Sequence, residues 1–277
     1  MPRPVRRGFT LGMLVVGLAL GLAATAYWRK PLAAFLWQRC RMPGMALFVN
    51  PEVECAMRIG NDYFNVSGDG TYDLGRARRY FLRALQLDSN TPEAWHQLAR
   101  IDFLQRNFSS ALEKINTQIA LHGERFMASY YIRGLICGYI GTPECLGQAE
   151  EDFTRFLAWD PNNWAARNDL AWISFQQGEY ERAEAVASQG LQDSPGNPWL
   201  LNMRGIVLLN LGLKQEAGAL FEQARSAIES MTEADWHTAY PGNHPGVAAQ
   251  GIEEMKRTVE FNMALVTGTP ARVGREG

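Results

Sequence analysis

The stretch Gly178-Glu-Tyr-Glu-Arg-Ala183 carries the alanine that organises this chain. Ala183 has counterparts at Ala77, Ala111, Ala149 and Ala217, with successive spacings of 34, 38, 34 and 34 residues. Four residues after each stand Phe81, Ile115, Phe153, Ala187 and Phe221; seven after stand Ala84, Gln118, Phe156, Gly190 and Ala224. Offsets of 0, +4 and +7 share one face of a helix. Twelve after stand Ser89, Gly123, Pro161, Pro195 and Glu229. The two prolines there fit a helix end, because proline cannot continue the hydrogen-bond ladder.

A second, small-residue position precedes each alanine: Gly60, Ala99, Gly134, Ala171 and Gly205. It lies twelve residues ahead in three repeats, seventeen in the first and fifteen in the third. The extra residues are expected in inter-helix turns around Ser67–Gly70 and Thr142–Cys145. A small side chain there allows two helices to approach closely. A pattern of this period defines a helix–turn–helix repeat, not a helical bundle, which has no reason to keep a register of 34.

Segments such as Asp160-Pro-Asn-Asn-Trp-Ala-Ala166 and Gly178-Glu-Tyr-Glu-Arg-Ala183 resemble the tetratricopeptide repeat (TPR) family, over residues 52–229. Ile59-Gly-Asn-Asp-Tyr-Phe64 with Tyr72-Asp-Leu-Gly-Arg-Ala77 also resembles the related Sel1-like repeats. The resemblance implies an all-α fold, an α-solenoid of about five helix–turn–helix units with a concave binding face. Solenoids bury their apolar surface between neighbours and need capped ends. Residues 230–246, rich in Pro, Gly and His, are expected as a loop. Residues 247–266 are expected as a capping helix, with Ile252, Met255, Val259, Met263 and Val266 on one stripe, and 267–277 as a disordered tail.

Ahead of the repeats, residues 1–8 are basic and 9–28 form an uncharged apolar run closed by Arg29 and Lys30. Twenty apolar residues suffice to cross a bilayer, and Tyr27 and Trp28 suit its interface. A transmembrane signal-anchor is expected, with a cleaved signal peptide, ending at Ala24-Thr25-Ala26, as the alternative. Residues 29–51 would then be a juxtamembrane linker. Its Leu32, Phe35, Leu36 and Trp37 would rest among headgroups, or on the first repeat. Residues 1–41 hold seven Lys or Arg and no acid, leaving 20 bases against 29 acids in the remainder. An acidic repeat region argues against a nucleic-acid partner. The basic N-terminus favours export of the repeats. Bacterial single-span proteins with an exported repeat domain have this layout, and the expected location is a bacterial inner membrane with the repeats on the extracytoplasmic side.

Four cysteines form two close pairs, Cys40 with Cys55 and Cys137 with Cys145. None has metal-ligand spacing. In an oxidising compartment two disulfides are open to them; otherwise they are free thiols.

In the family the first helices line the groove. Counting from the small-residue position, the expected peptide-binding residues are Asn61, Arg100, Tyr131, Asn168, Trp172 and Asn202. Amides bond a peptide backbone as donor and acceptor, and aromatics give rigid anchors. Phe64, Phe103 and Phe175 are expected to pack between repeats. Met57, His96 and Tyr131 stand where a lysine of the family's carboxylate-binding members would help, so that mode of binding is not expected. No catalytic motif occurs, no cofactor is implied, and the expected role is a non-enzymatic scaffold that binds a peptide or helix of a protein partner in cell-envelope protein assembly. Two alternatives stay open: a metal-binding or enzymatic site in residues 232–245, using Asp235, His237 and His244, and a self-assembling structural solenoid.

Overall fold

The computed structural model describes residues 27–38, 42–64, 72–240 and 243–268. Among the described residues the chain is entirely helical. It divides into two compact units, residues up to Tyr63 with Gly75–Thr91, and Phe64–Leu74 with Pro92 onward.

The first unit contains α1 (residues 27–38), α2 (Pro43–Val49), α3 (Val53–Phe64) and α4 (Leu74–Leu87). Phe81 of α4 lies against Gly60 of α3. Of the two placements expected for the linker at 29–51, its described residues take the one on the first repeat. Trp37 is buried, its ring 5.1 Å from Tyr63 and its indole N–H donating to Asp62. It therefore does not sit among headgroups. Ala33, one turn earlier, is fully buried too. Arg29 donates to the Val49 carbonyl at 3.0 Å, and Lys30 pairs with Glu54 at 3.1 Å. The other face of α1 and α2 exposes Trp28, Leu32, Phe35, Met45 and Phe48.

The second unit holds the helix pairs α5 (Ala94–Leu104) with α6 (Phe108–His122), α7 (Ala128–Ile140) with α8 (Pro143–Trp159), α9 (Trp164–Gln176) with α10 (Tyr180–Asp193), and α11 (Pro198–Asn210) with α12 (Lys214–Glu229). They are followed by α13 (Glu233–Ala239) and α14 (Ala248–Thr267). The turn chemistry is local. Asn163 and Asn197 cap α9 and α11 by accepting from the N–H groups of Ala166 and Leu200 at 3.0 and 3.1 Å. Between the helices of a pair, Gly178 and Gly212 take left-handed φ values of 79° and 81°. Arg106 holds the same place after α5 at φ 62°, where a Cβ is strained.

All five anchor alanines are fully buried. The small-residue position has a different use from the close helix approach expected of it. A Cβ on Gly134 would lie 2.9 Å from the Phe153 ring, and one on Gly205 only 2.5 Å from Phe221. In those repeats the vacant Cβ site receives the phenyl ring at the +4 position. In the α5–α6 and α9–α10 repeats an alanine, Ala99 or Ala171, meets a smaller partner, Ile115 or Ala187, and both members are buried. The α5–α6 repeat keeps the volume at this contact by exchanging Gly/Phe for Ala/Ile, whereas Ala171 with Ala187 is a smaller pair that shares its cluster with Met203 and Val207.

Two boundaries differ from expectation. The surplus residues of the α7–α8 repeat do not widen its turn. Gly141 (φ 72°) ends α7, Thr142 caps α8 by accepting from Cys145 N–H, and Pro143 takes the first helical turn, so the extra residues lengthen α8. Asp152 is consequently mid-helix and buried; Arg133 grips it through two bonds of 2.7 and 2.8 Å. Within 230–246, expected as loop, Thr232 and Asp235 form a reciprocal capping box that starts α13. α14 packs the stripe Ile252, Met255, Val259, Met263 and Val266 onto the α12 core.

No helix among the described residues is long and apolar enough to cross a membrane. The expected span 9–28 lies outside the described residues except for Tyr27 and Trp28, and the tail beyond Gly268 lies outside them too.

Candidate functional site

The first helices of the four pairs in the second unit line one cavity of about 730 Å³. α5 contributes Arg100 and Phe103, α7 Tyr131, Leu135 and Tyr139, α9 Trp164, Asn168, Asp169 and Trp172, and α11 Trp199 and Asn202. The far wall is the C-terminal segment: Trp236, Tyr240 and Asn243 from α13 and its exit, and Glu254 and Thr258 from α14. The volume suits one or two side chains with a short stretch of backbone.

The cavity is aromatic. Trp164 stacks on Trp199 at 4.9 Å; Trp199 meets Trp236 at 6.2 Å and Tyr240 at 5.9 Å; Trp236 and Tyr240 lie 4.6 Å apart. On the opposite side Tyr139 lies 5.3 Å from both Trp172 and Phe103. α13 owes its position to these rings and to Gly251, whose missing side chain leaves room for Trp236; a Cβ there would meet the indole at 2.1 Å. His244 follows, its ring 5.0 Å from Tyr72.

Among these rings sits Asp169. Tyr131 donates its hydroxyl to Oδ2 at 2.7 Å, and the Asn168 amide reaches Oδ1 at 3.3 Å. The residue is half-buried, with its carboxyl deep in the protein, and this burial pushes its pKa up to about 6 against the two hydrogen bonds. Tyr131 is raised in turn, first by burial and then by the Asp169 charge; Tyr240 is raised to about 12 for the same two reasons. At one end of the cavity Arg100 lays its guanidinium 4.5 Å over Phe64 and donates to Gln97 at 2.9 Å. His96 does not line the cavity. It is held neutral, with a pKa of about 3, by burial and by the Arg100 charge, and it shares a hydrogen bond with Ser129.

Five of the six expected binding residues, Arg100, Tyr131, Asn168, Trp172 and Asn202, line this cavity together. Asn61 belongs to α3 and is not part of the lining. Tyr131 and Asn168 turn out to be partners of Asp169. Asn202 accepts at 2.9 Å from Asn262 of α14, so part of its amide is engaged. Trp172 also packs as a wall between repeats, at the Cβ site that Gly138 leaves vacant. Phe103 lines the cavity as well as packing on Phe108 and Tyr139. Asp169, Trp164, Trp199 and the α13 aromatics were not anticipated. The one available signal for α13 was Thr232-Glu-Ala-Asp235, a capping-box sequence.

Of the remaining candidates, the Cys137–Cys145 pair comes together and the others do not among the described residues. Cys137 and Cys145 are free thiols close enough to share a hydrogen bond; burial and that neighbour raise the Cys137 pKa. Cys55 is a buried free thiol, and Cys40 lies outside the described residues. No group of three metal-ligating side chains comes together among the described residues. Asp235 is engaged with Thr232 and His244 with Tyr72 and the Gly246 N–H.

The site therefore belongs to an α-solenoid whose first helices, with a C-terminal helix laid against them, form an aromatic cavity. Residues 146–198 match the tetratricopeptide repeat family model. No curated protein sequence matches the chain. Among solved structures the fold is shared with a tetratricopeptide repeat protein from Parabacteroides merdae ATCC 43184, at a TM-score of 0.59 and 15% identity, covering 88% of this chain and 99% of that one. It is shared with YrrB, described as a TPR protein with an unusual peptide-binding site, at 0.54 and 15%, covering 76% and 97%. PilW, a widely conserved type IV pilus biogenesis factor, aligns at 0.55 and 16%, covering 76% and 92%. The fold is thus the tetratricopeptide type of helical repeat.

Proposed function

We propose that this protein is a membrane-tethered adaptor whose second unit holds a short segment of a partner protein. The observation that carries the reading is the cavity itself. Hydrogen-bonding amides at Asn168 and Asn202 stand among rigid aromatic rings on the first helices. This combination fixes a peptide backbone and anchors one side chain. Its size favours an extended segment over a whole helix.

Residues 9–28 serve as the anchor in this reading, with the repeats on the extracytoplasmic side of a bacterial inner membrane and the partner an envelope protein. The exposed Trp28, Leu32, Phe35, Met45 and Phe48 support it, since Trp28 ends the apolar run, the others follow it, and all suit an interface. A C-terminal epitope tag digested by protease in intact spheroplasts is the expected topology result; a tag cut only after lysis would reverse it.

Peptide binding is tested by selecting binders from a random display library on the full-length protein. Binders should lose at least about tenfold in affinity on Asn168→Ala, which deletes an amide from the cavity wall. Selected peptides indifferent to both Asn168→Ala and Asn202→Ala would remove the cavity as the binding site.

A further inference from the structure

The cavity contains a negative charge that no basic side chain of the described residues answers. Asp169 forms no ion pair, and its two hydrogen bonds, from Tyr131 and Asn168, leave about half of a carboxylate's acceptor positions open. Arg100, the one basic residue in the lining among the described residues, is directed to Phe64 and Gln97. The rings of Tyr139, Trp172 and Tyr240 line the same space, and Glu254 adds a second acid to the far wall. An unpaired buried carboxylate is costly, and its cost is relieved by a cation. Aromatic faces attract the same kind of group.

We propose that the partner segment presents a basic residue, and that its Lys or Arg side chain enters among Tyr139, Trp172 and Tyr240 to set its cation against Asp169. The inference rests on the peptide-binding reading above and names what that site selects. The aromatic walls cover the aliphatic stem, and the carboxylate takes the charged end. Specificity then comes from charge. An uncharged segment of the same shape leaves Asp169 without a partner, so the site discriminates against it.

The test uses tryptophan fluorescence of the full-length protein, since Trp164, Trp172, Trp199 and Trp236 all line the cavity. The probes are a blocked alanine peptide with a central lysine, its Nε-acetyl-lysine counterpart, and methylammonium chloride. The lysine peptide should bind at least about tenfold more tightly than the acetylated one. Asp169→Asn, which keeps the side-chain shape, should erase that preference, with circular dichroism reporting that the variant is folded.

A second arm needs no variant. The groups facing Asp169 are Tyr131 and Tyr139 from α7, Asn168 and Trp172 from α9 and Tyr240 after α13; Arg100 and Glu254 line the same cavity. Because Asp169 titrates at about 6, the lysine preference should collapse as the pH falls from about 7.5 to about 5.

Equal binding of the lysine and acetyl-lysine peptides would overturn the cation inference and leave peptide binding standing. Methylammonium binding as tightly as the lysine peptide would overturn the peptide as the source of the cation. Binding by none of the three probes would overturn this inference; the display selection separately decides the peptide-binding reading.

Discussion

The exchange between glycine and a phenyl ring makes a quantitative prediction at Gly205. A Cβ there would lie 2.5 Å from Cε1 and 2.8 Å from Cδ1 of Phe221, against an ordinary carbon–carbon contact of ~3.5–4.0 Å. The ring would have to withdraw by about 1 Å. Phe221 is fully buried among Leu201, Leu208, Leu220 and Ile228, so it has nowhere to go cheaply. Overpacking of this kind costs about 2–3 kcal/mol, and alanine returns about 1 kcal/mol of helix propensity. Gly205→Ala should therefore destabilise by about 1–2 kcal/mol and lower Tm by about 2–8 °C. Gly147→Ala on α8 is the control, because a Cβ there meets nothing within 4 Å. It should stabilise by up to about 1 kcal/mol. Phe221→Ile alone leaves a gap and costs about 1–2 kcal/mol. Combined with Gly205→Ala it recreates the Ala99/Ile115 pairing, so the double variant should recover at least about 1 kcal/mol over the sum of the single effects. Thermal and urea unfolding of the four variants gives the cycle. Additive single effects, or a Gly205→Ala variant that gains stability as Gly147→Ala does, would refute the volume argument.

Asp169→Asn should stabilise the free protein by about 1–3 kcal/mol at pH 7, because burial raises this carboxyl from 3.8 to about 6. The folded state binds that proton more tightly than the unfolded chain, so wild-type stability falls as the pH rises from about 4 to about 6, and the advantage of the variant should vanish near pH 4; thermal melts across that window check the sign. Arg106→Gly relieves the left-handed backbone at φ 62° and should raise stability by about 1 kcal/mol, read as the urea midpoint. Trp37→Ala empties a buried site on α3 and should cost about 3–5 kcal/mol, releasing α1 to limited proteolysis, whereas Trp37→Phe should keep α1 protected.

The repeat register was legible because each anchor alanine sits where only a small side chain fits, and all five are fully buried. The groove was legible in outline for the same reason: counting from the small-residue position brought Arg100, Tyr131, Asn168, Trp172 and Asn202 to one cavity. Asp169 escaped because it stands one place beyond Asn168, at an offset not counted as groove-lining, although Ile132 and Met203 at the same offset line the cavity too. Trp164 and Trp199 lie in the first turns of α9 and α11 and become site residues only because the α13 segment covers them. That short helix has no apolar period of its own; its position depends on Gly251 and on rings more than thirty residues earlier in the chain. The linker's place, among headgroups or on the first repeat, was not legible for the opposite reason. Trp37 suits a bilayer interface as well as a protein core, and only the place of Tyr63 and Asp62 decides between them.

The covering of Trp199 by Tyr240 also has a consequence in time. The two residues are 41 positions apart, so a growing chain extends for about 2–8 s between making one and making the other. Through that interval the stacked indoles of Trp164 and Trp199 stand bare on repeats that are already able to fold. A nascent chain therefore offers a sticky aromatic surface that the finished protein has partly walled in, and a ribosome stalled before Glu233, or a message truncated there, would release a product with that surface permanently open.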